Sequence, residues 1–228
     1  MCCSPRVGEL PLRHCPFKEG KKLAILVRSL SVSRGGISLL QGLDIEIKNG
    51  QVGILQGPNG IGKTTLLRAL AGLQPIESGT IEGSLEDMCY SGHSDGVKPT
   101  LTVQENLEFW ANIFGSPSIS EVAKKFILVD LLNIRVGTLS AGQKRRVGLA
   151  RLGLTGRSVW LLDEPTVSLD ETSVKIFGNI INDHLSENGS ALIATHMDLR
   201  LKNKAQVIDL LKYQSKLGEL SRSDGAFL

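Results

Sequence analysis

The chain has 228 residues, 41% of them hydrophobic, enough for one globular domain with a sizeable core and too few for a second large domain. Its formal charge of +3 comes from lysines and arginines spread along the chain, which is no nucleic-acid footprint. No apolar run approaches the roughly 18 to 20 residues of a membrane-spanning helix, and the first residues, MCCSPRVGELPLRHCPFKEGKK, hold no hydrophobic signal core.

At the start of the chain, Cys2, Cys3, His14 and Cys15 have a spacing unlike that of the common zinc fingers. Residues 1–22 read instead as a disordered tail or an over-extended start. With Cys89 these are the only cysteines, too few and too uneven for a disulfide framework, so a reducing compartment is the simpler expectation. A single domain is expected over residues 23–212, with 213–228 as a C-terminal tail.

Past Lys22, LAILVRSLSV and DIEIKNG alternate with period two and are flanked by RGG and NG turns, which predicts antiparallel strands and hairpins. QVGILQ is different, a short and nearly continuous apolar run, as are SVWLLD and ALIATH further on. Such runs are expected of parallel strands buried on both faces. TLLRALAGL follows the first run and ETSVKIFGNIINDHL separates the other two, both with helical spacing, so the order is βαβ and the fold class α/β.

Between QVGILQ and the first helix lies GPNGIGKTT, which matches G-x-x-x-x-G-K-[ST] in the strand-to-helix context that the pattern requires. Gly57, Pro58, Asn59, Gly60 and Gly62 make a loop whose backbone N–H groups can turn inward around phosphates. The helix start behind it adds the equivalent of about half a positive charge. Lys63 neutralises phosphate charge, Thr64 offers a hydroxyl to Mg²⁺, and Thr65 completes the motif.

YSGHSDG then places His93 between two glycines in a turn-rich loop, where it is a metal ligand, a substrate contact or a passive loop residue; no companion ligand flanks it. Residues of about 100 to 145 read as a helical insertion. Three capping boxes are expected in this region: Thr102 with Glu105, Ser118 with Glu121, and Ser140 with Gln143. Val103, Leu107, Trp110 and Phe114 fall on one helix face and are expected in the core, with a partner groove as the other reading for the two aromatics.

LSAGQKRR begins with the Ser140 cap, contains Gly142 for close backbone approach, and opens a helix, giving a second anion-binding helix start. VWLLDEP supplies an acid at the end of a buried strand. Asp163 is placed to hold Mg²⁺ through water and Glu164 to polarise the attacking water. A small-molecule kinase would carry the phosphate loop and the acids, but it has no need of the second helix start. The economical explanation is a head-to-tail dimer in which that helix start serves the nucleotide of the neighbouring subunit, so that two copies enclose two ATP molecules.

In these motifs the chain resembles the ATP-binding-cassette (ABC) ATPases over residues of about 23 to 210. Walker A is GPNGIGKTT, the LSGGQ signature is LSAGQ, and Walker B is VWLLDE. The D-loop is SLD, Ser168 to Asp170, and the switch histidine is His196 after ALIAT. The resemblance implies a P-loop NTPase with a RecA-like parallel-sheet core, an N-terminal antiparallel β subdomain and the helical insertion. It implies ATP and Mg²⁺, with Ser140 and Gly142, in the motif that Gln143 completes, meeting the γ-phosphate in trans. Asp170 then works across a homodimer interface and His196 senses the γ-phosphate in cis; read alone, His196 would be a core histidine.

Three positions depart from the family pattern. Ala141 replaces a signature glycine, which is tolerable if its φ is not positive. Arg34 stands where an adenine-stacking aromatic is usual, and His93 stands where a glutamine ends the strand before LTVxEN. With GH in place of PQ, YSGHSDGVKPTLTVQENLEFWA together with SAGQKRRVGLARL resembles the haem-exporter ATPases of cytochrome c maturation systems. That resemblance implies a peripheral subunit on the cytoplasmic face of the bacterial inner membrane, or on the matrix face of the mitochondrial one. It pairs such a subunit with an integral membrane permease and makes ATP hydrolysis release a haem-loaded periplasmic chaperone, without haem binding by the ATPase. His93 becomes a Q-loop residue able to reach the water or Mg²⁺ at the γ-phosphate. The other readings are the ATPase of a drug or lipid exporter and a non-transport cassette ATPase.

Overall fold

The computed structural model describes residues 23–116 and 118–215. The cysteine and histidine cluster near the start, the expected tail of 1–22 and most of the expected tail of 213–228 lie outside them. Strands β1 (Leu23–Arg34) and β2 (Ile37–Lys48) pair antiparallel with Arg34 opposite Ile37. Gly35 and Gly36 turn the hairpin at φ 59° and 80°, a pair of left-handed residues whose twist matches that of the strands. Strand β3 (Val52–Gln56) opens a second sheet, helix α1 (Lys63–Leu70) follows it, and β4 (Ser78–Glu82) returns to the free side of β1. The first sheet is thus the antiparallel order β2-β1-β4.

The second sheet continues with β5 (Met88–Ser91), and then the chain leaves it for α2 (Val103–Phe114), α3 (Ser120–Lys125) and α4 (Ala141–Ala150). Strand β6 (Val159–Asp163), helix α5 (Glu171–Ser186), β7 (Ser190–Ala194) and β8 (Gln206–Asp209) complete it. Its order is β5-β6-β7-β3-β8, and every pair is parallel. Both β6 and β7 are buried at every position, the reason their sequences are apolar runs without alternation. The α/β class, the antiparallel subdomain and the helical insertion are those the sequence predicts. Strands β5 and β8 were not anticipated from the pattern of residues: MCYS and QVID are short and mix polar with apolar positions.

Two hydrophobic clusters hold the layers together. Leu30, Leu40, Leu66, Leu67, Leu161 and Leu192 belong to one, between the antiparallel sheet, α1 and one face of the parallel sheet. Leu107, Phe126, Leu149, Trp160, Phe177 and Ile181 belong to the other, joining the opposite face to α5 and the helical segment. Gln214 bridges Leu40, and Ser215 donates its N–H to Leu39, so the last described residues rest on β2. Among the described residues no helix is long and apolar enough to cross a membrane.

Helix α2 buries Val103 and Leu107, as its spacing predicts, while Trp110 and Phe114 are half-buried and stack on each other at 5.9 Å. The Thr102 and Ser140 capping boxes form in full. The Ser118 box does not: α3 starts two residues later, behind Ile119, and the Ser118 hydroxyl accepts the N–H of Ser120 at 3.1 Å. A local two-residue turn has taken the hydroxyl that the cap would need, and Glu121 pairs with Lys124 at 3.1 Å instead.

Helix α5 passes directly over the backbone beyond β7, and a Cβ at Gly178 would run into the Leu199 carbonyl oxygen. A backbone atom cannot yield as a side-chain end can. Gly178→Ala is therefore expected to lower stability by about 1–3 kcal/mol, read as a fall in the urea midpoint; an unchanged midpoint would contradict this packing.

Candidate nucleotide site

Parallel strands in near-level register present their C-terminal ends at one edge. Leu55 and Asp163 both lie opposite Ala194, and Ser91 lies opposite Leu162. The segments leaving β3, β5, β6 and β7 therefore emerge side by side, which gathers four stretches distant in sequence. They carry the phosphate loop, His93, the acids Asp163 and Glu164, and His196.

The phosphate loop runs from Gly57 into α1. Gly60 is at φ 77° with open space around its Cα, so glycine is needed there for its backbone conformation and not for room. Gly62 is the N-cap of α1 and supplies no side-chain cap hydrogen bond, as at an anion-binding helix start. Lys63 is buried; its Nζ donates to Gly57 O at 2.7 Å and lies 3.2 Å from His196 Nε2. A lysine ammonium only donates, so Nε2 is the acceptor, and its 3.6 Å approach to Glu164 Oε1 is a close contact, not a hydrogen bond. Lysine, histidine and glutamate thus form one chain at the strand ends. Beside it an open cleft of about 520 Å³ is lined by residues that include Gln56, Gly57, Thr195 and His196.

Asp163 is 1% exposed, and its Oδ2 accepts from the Tyr90 hydroxyl at 3.3 Å. His93 Nε2 approaches the same oxygen at 4.0 Å with its ring largely exposed. Burial first, then the Asp163 charge, pushes the Tyr90 phenol up to about 12, which keeps it a donor at neutral pH. Gly92 makes this approach possible: a Cβ there would lie 2.8 Å from the Tyr90 hydroxyl. The glycine beside His93 thus has a packing reason. Tyr90 itself was missed in the sequence, where an isolated tyrosine in MCYS gives no signal; the glycine two residues on is the trace it leaves.

The second helix start is built as a cap. Ser140 Oγ accepts the Gln143 N–H at 3.2 Å, and Gln143 Oε1 accepts the Ser140 N–H at 2.9 Å. Gln143 therefore holds the turn that presents the exposed Ser140. Gly142 faces the loop after β6, where a Cβ would lie 3.0 Å from Ser168 O. Ala141 is the first residue of α4 and is not among the residues of positive φ, so the alanine is tolerated at this signature position. Asp170 caps α5 by accepting the Ser173 N–H at 2.7 Å, and hydrogen bonds from Ser173 hold its carboxyl below the usual range. Arg34 lies exposed at the end of β1.

Hard oxygen donors of the kind Mg²⁺ takes are present in the Thr64 hydroxyl and the Asp163 carboxylate. Among the described residues no group of three or more histidine, cysteine or acidic side chains gathers as a metal cage. A cation held by one or two protein oxygens plus phosphates fits that donor set.

Residues 40–167 match the family model described as ABC transporter. The cytochrome c biogenesis ATP-binding export protein CcmA of Ruegeria pomeroyi is 52% identical over 206 residues, 90% of this chain and 100% of that protein. Its namesake in Paracoccus denitrificans is 52% identical over 88% of this chain and 96% of that protein. Among solved structures, an ABC transporter ATP-binding protein from Pyrococcus furiosus superposes with a TM-score of 0.75 at 27% identity, covering 84% of this chain and 99% of the other. CbiO1 of Clostridium perfringens, part of the cbiONQ transporter complex, has the same fold at a TM-score of 0.71 and 23% identity, covering 90% of this chain and 93% of the other.

Proposed function

The chain belongs to the ABC transporter family as an ATPase, and we propose that it powers a cytochrome c biogenesis export system from the cytoplasmic face of a membrane, docked on an integral permease. The system is that of the relatives named above, which match this chain along nearly their whole length. One nucleotide-binding domain over residues 23–212, with its helical insertion at about 100–145, does the work, and two copies form the active unit.

The observation that carries the hydrolytic reading is the convergence of Lys63, His196 and Glu164 at the strand ends, with Asp163 buried beside them. The loop Gly57–Thr65 cradles the phosphates of ATP, and Lys63 neutralises their charge. Thr64 and Asp163 would hold Mg²⁺, which when bound offsets the charge shared by the β- and γ-phosphates. Glu164 takes the proton of the attacking water, and His196 orients toward the γ-phosphate. His93, 4.0 Å from Asp163, stands between the phosphate end and the loop leading to the helical insertion. From the partner copy, Ser140 and Gly142 at the start of α4 close the site and Asp170 supports the interface.

Co-purification tests the assignment to a membrane complex. The subunit is expected to come down with an integral membrane protein of a cytochrome c biogenesis system, and adding that protein should raise ATP hydrolysis. Purification with a permease of another cargo would redirect the assignment. Stimulation by DNA or RNA without a membrane partner would overturn it.

A further inference from the structure

Arg145 lies on α4, three residues beyond Gly142, and is 3% exposed. Its guanidinium faces oxygen acceptors on two other segments. Nε donates to Pro165 O at 3.0 Å and one terminal nitrogen to Glu164 O at 2.9 Å, both just after β6. The other terminal nitrogen donates to Gly92 O at 3.0 Å, His93 O at 3.3 Å and Asp95 Oδ1 at 3.0 Å, in the loop after β5. One planar fork therefore joins the helix of the second anion site, the carbonyl of the proposed base and the loop of His93.

Glu164 needs such a restraint. Its φ is +48°, a left-handed conformation that costs a non-glycine residue stability unless its surroundings hold it. The Glu164 N–H is tied to Ala194 O at 2.9 Å and its carbonyl to Arg145. The loop of His93 meets α4 at one further point, where a Cβ at Gly148 would lie 2.7 Å from both Asp95 Cβ and Asp95 O, so the glycine admits this contact. Just past the helix, Arg151 donates to the carbonyl of Tyr90 in β5 at 3.0 Å.

Resting on the reading of Glu164 as the base, we propose that Arg145 is the positioning residue of the hydrolytic step. It fixes the Glu164 backbone and the His93 loop in one frame with the helix that carries Ser140. Lysine cannot replace it, because an ammonium lacks the planar fork that reaches both segments at once.

The test is steady-state hydrolysis by the full chain carrying Arg145→Lys. Turnover is expected to fall roughly 10- to 100-fold, the scale of a catalytic group misplaced by about an ångström. The KM for ATP should stay within about threefold, because the hydrogen bonds of Arg145 run to the segments after β5 and β6 and not to the loop that cradles the phosphates. Combined with Glu164→Gln, Arg145→Lys should lower the residual turnover by less than about twofold, since positioning is worthless without the group positioned. Unchanged turnover, a parallel loss of KM and kcat, or multiplying effects in the double variant would overturn the proposal. If Arg145→Lys does not fold, Asp95→Asn takes its place, as it keeps the four carbonyl partners; a smaller fall of about threefold with unchanged KM supports the proposal, and unchanged turnover overturns it. Near-normal hydrolysis by Glu164→Gln alone removes the base assignment without any measurement on Arg145, so the two failures are told apart.

Discussion

Glu164→Gln is expected to bind ATP almost normally and to hydrolyse it about 10²-fold more slowly or worse, the loss typical of a general base. Glutamine keeps the length and shape of glutamate but does not accept a proton from water. The backbone contacts that hold this residue at φ +48°, from Ala194 O and Arg145, involve its N–H and carbonyl and survive the exchange. The effect should therefore fall on turnover and leave affinity untouched, a split that single-turnover kinetics beside equilibrium nucleotide binding would measure. Near-normal hydrolysis would remove Glu164 from the chemistry.

Lys63→Ala has its effect earlier, on binding. The lysine is 7% exposed, with its ammonium at the mouth of the loop formed by Gly57 and Pro58. A charge-assisted hydrogen bond is worth about 1.5–3 kcal/mol, so its loss should weaken ATP binding by roughly 10- to 100-fold. Titration with a fluorescent ATP analogue would read this directly, with circular dichroism to show that the fold persists. Unchanged affinity would count against the loop as a phosphate cradle.

The parts of the fold that were legible in the sequence are those where one physical demand dominates. VWLLD and SALIA are buried on both faces, so apolar runs sufficed to find β6 and β7. The phosphate loop has few alternatives once its glycines and lysine stand between a strand and a helix. Strands β5 and β8 lie at the two edges of the parallel sheet, where half-exposed residues blur the pattern. Ser118 shows the limit of reading caps from spacing, because serine also serves short turns.

Within the site, Lys63, Asp163 and Glu164 were nameable from motifs at the ends of buried strands, whereas His93 and His196 were nameable only through the resemblance to the ABC ATPases. Tyr90 and Arg145 were not, since each acts through a contact made only in three dimensions. Arg145 sits in KRR, where nothing in the spacing marks it as the buried member of the three.

A nucleotide site shared between two copies is tested most directly by mixing inactive subunits. Lys63→Ala subunits retain an intact Ser140 helix start, and Ser140→Arg subunits retain an intact phosphate loop, so their mixed dimer contains one complete composite site. ATP hydrolysis by the mixture should rise above that of either variant alone. No rise, with mixed dimers demonstrated by cross-linking, would contradict a site built from both copies.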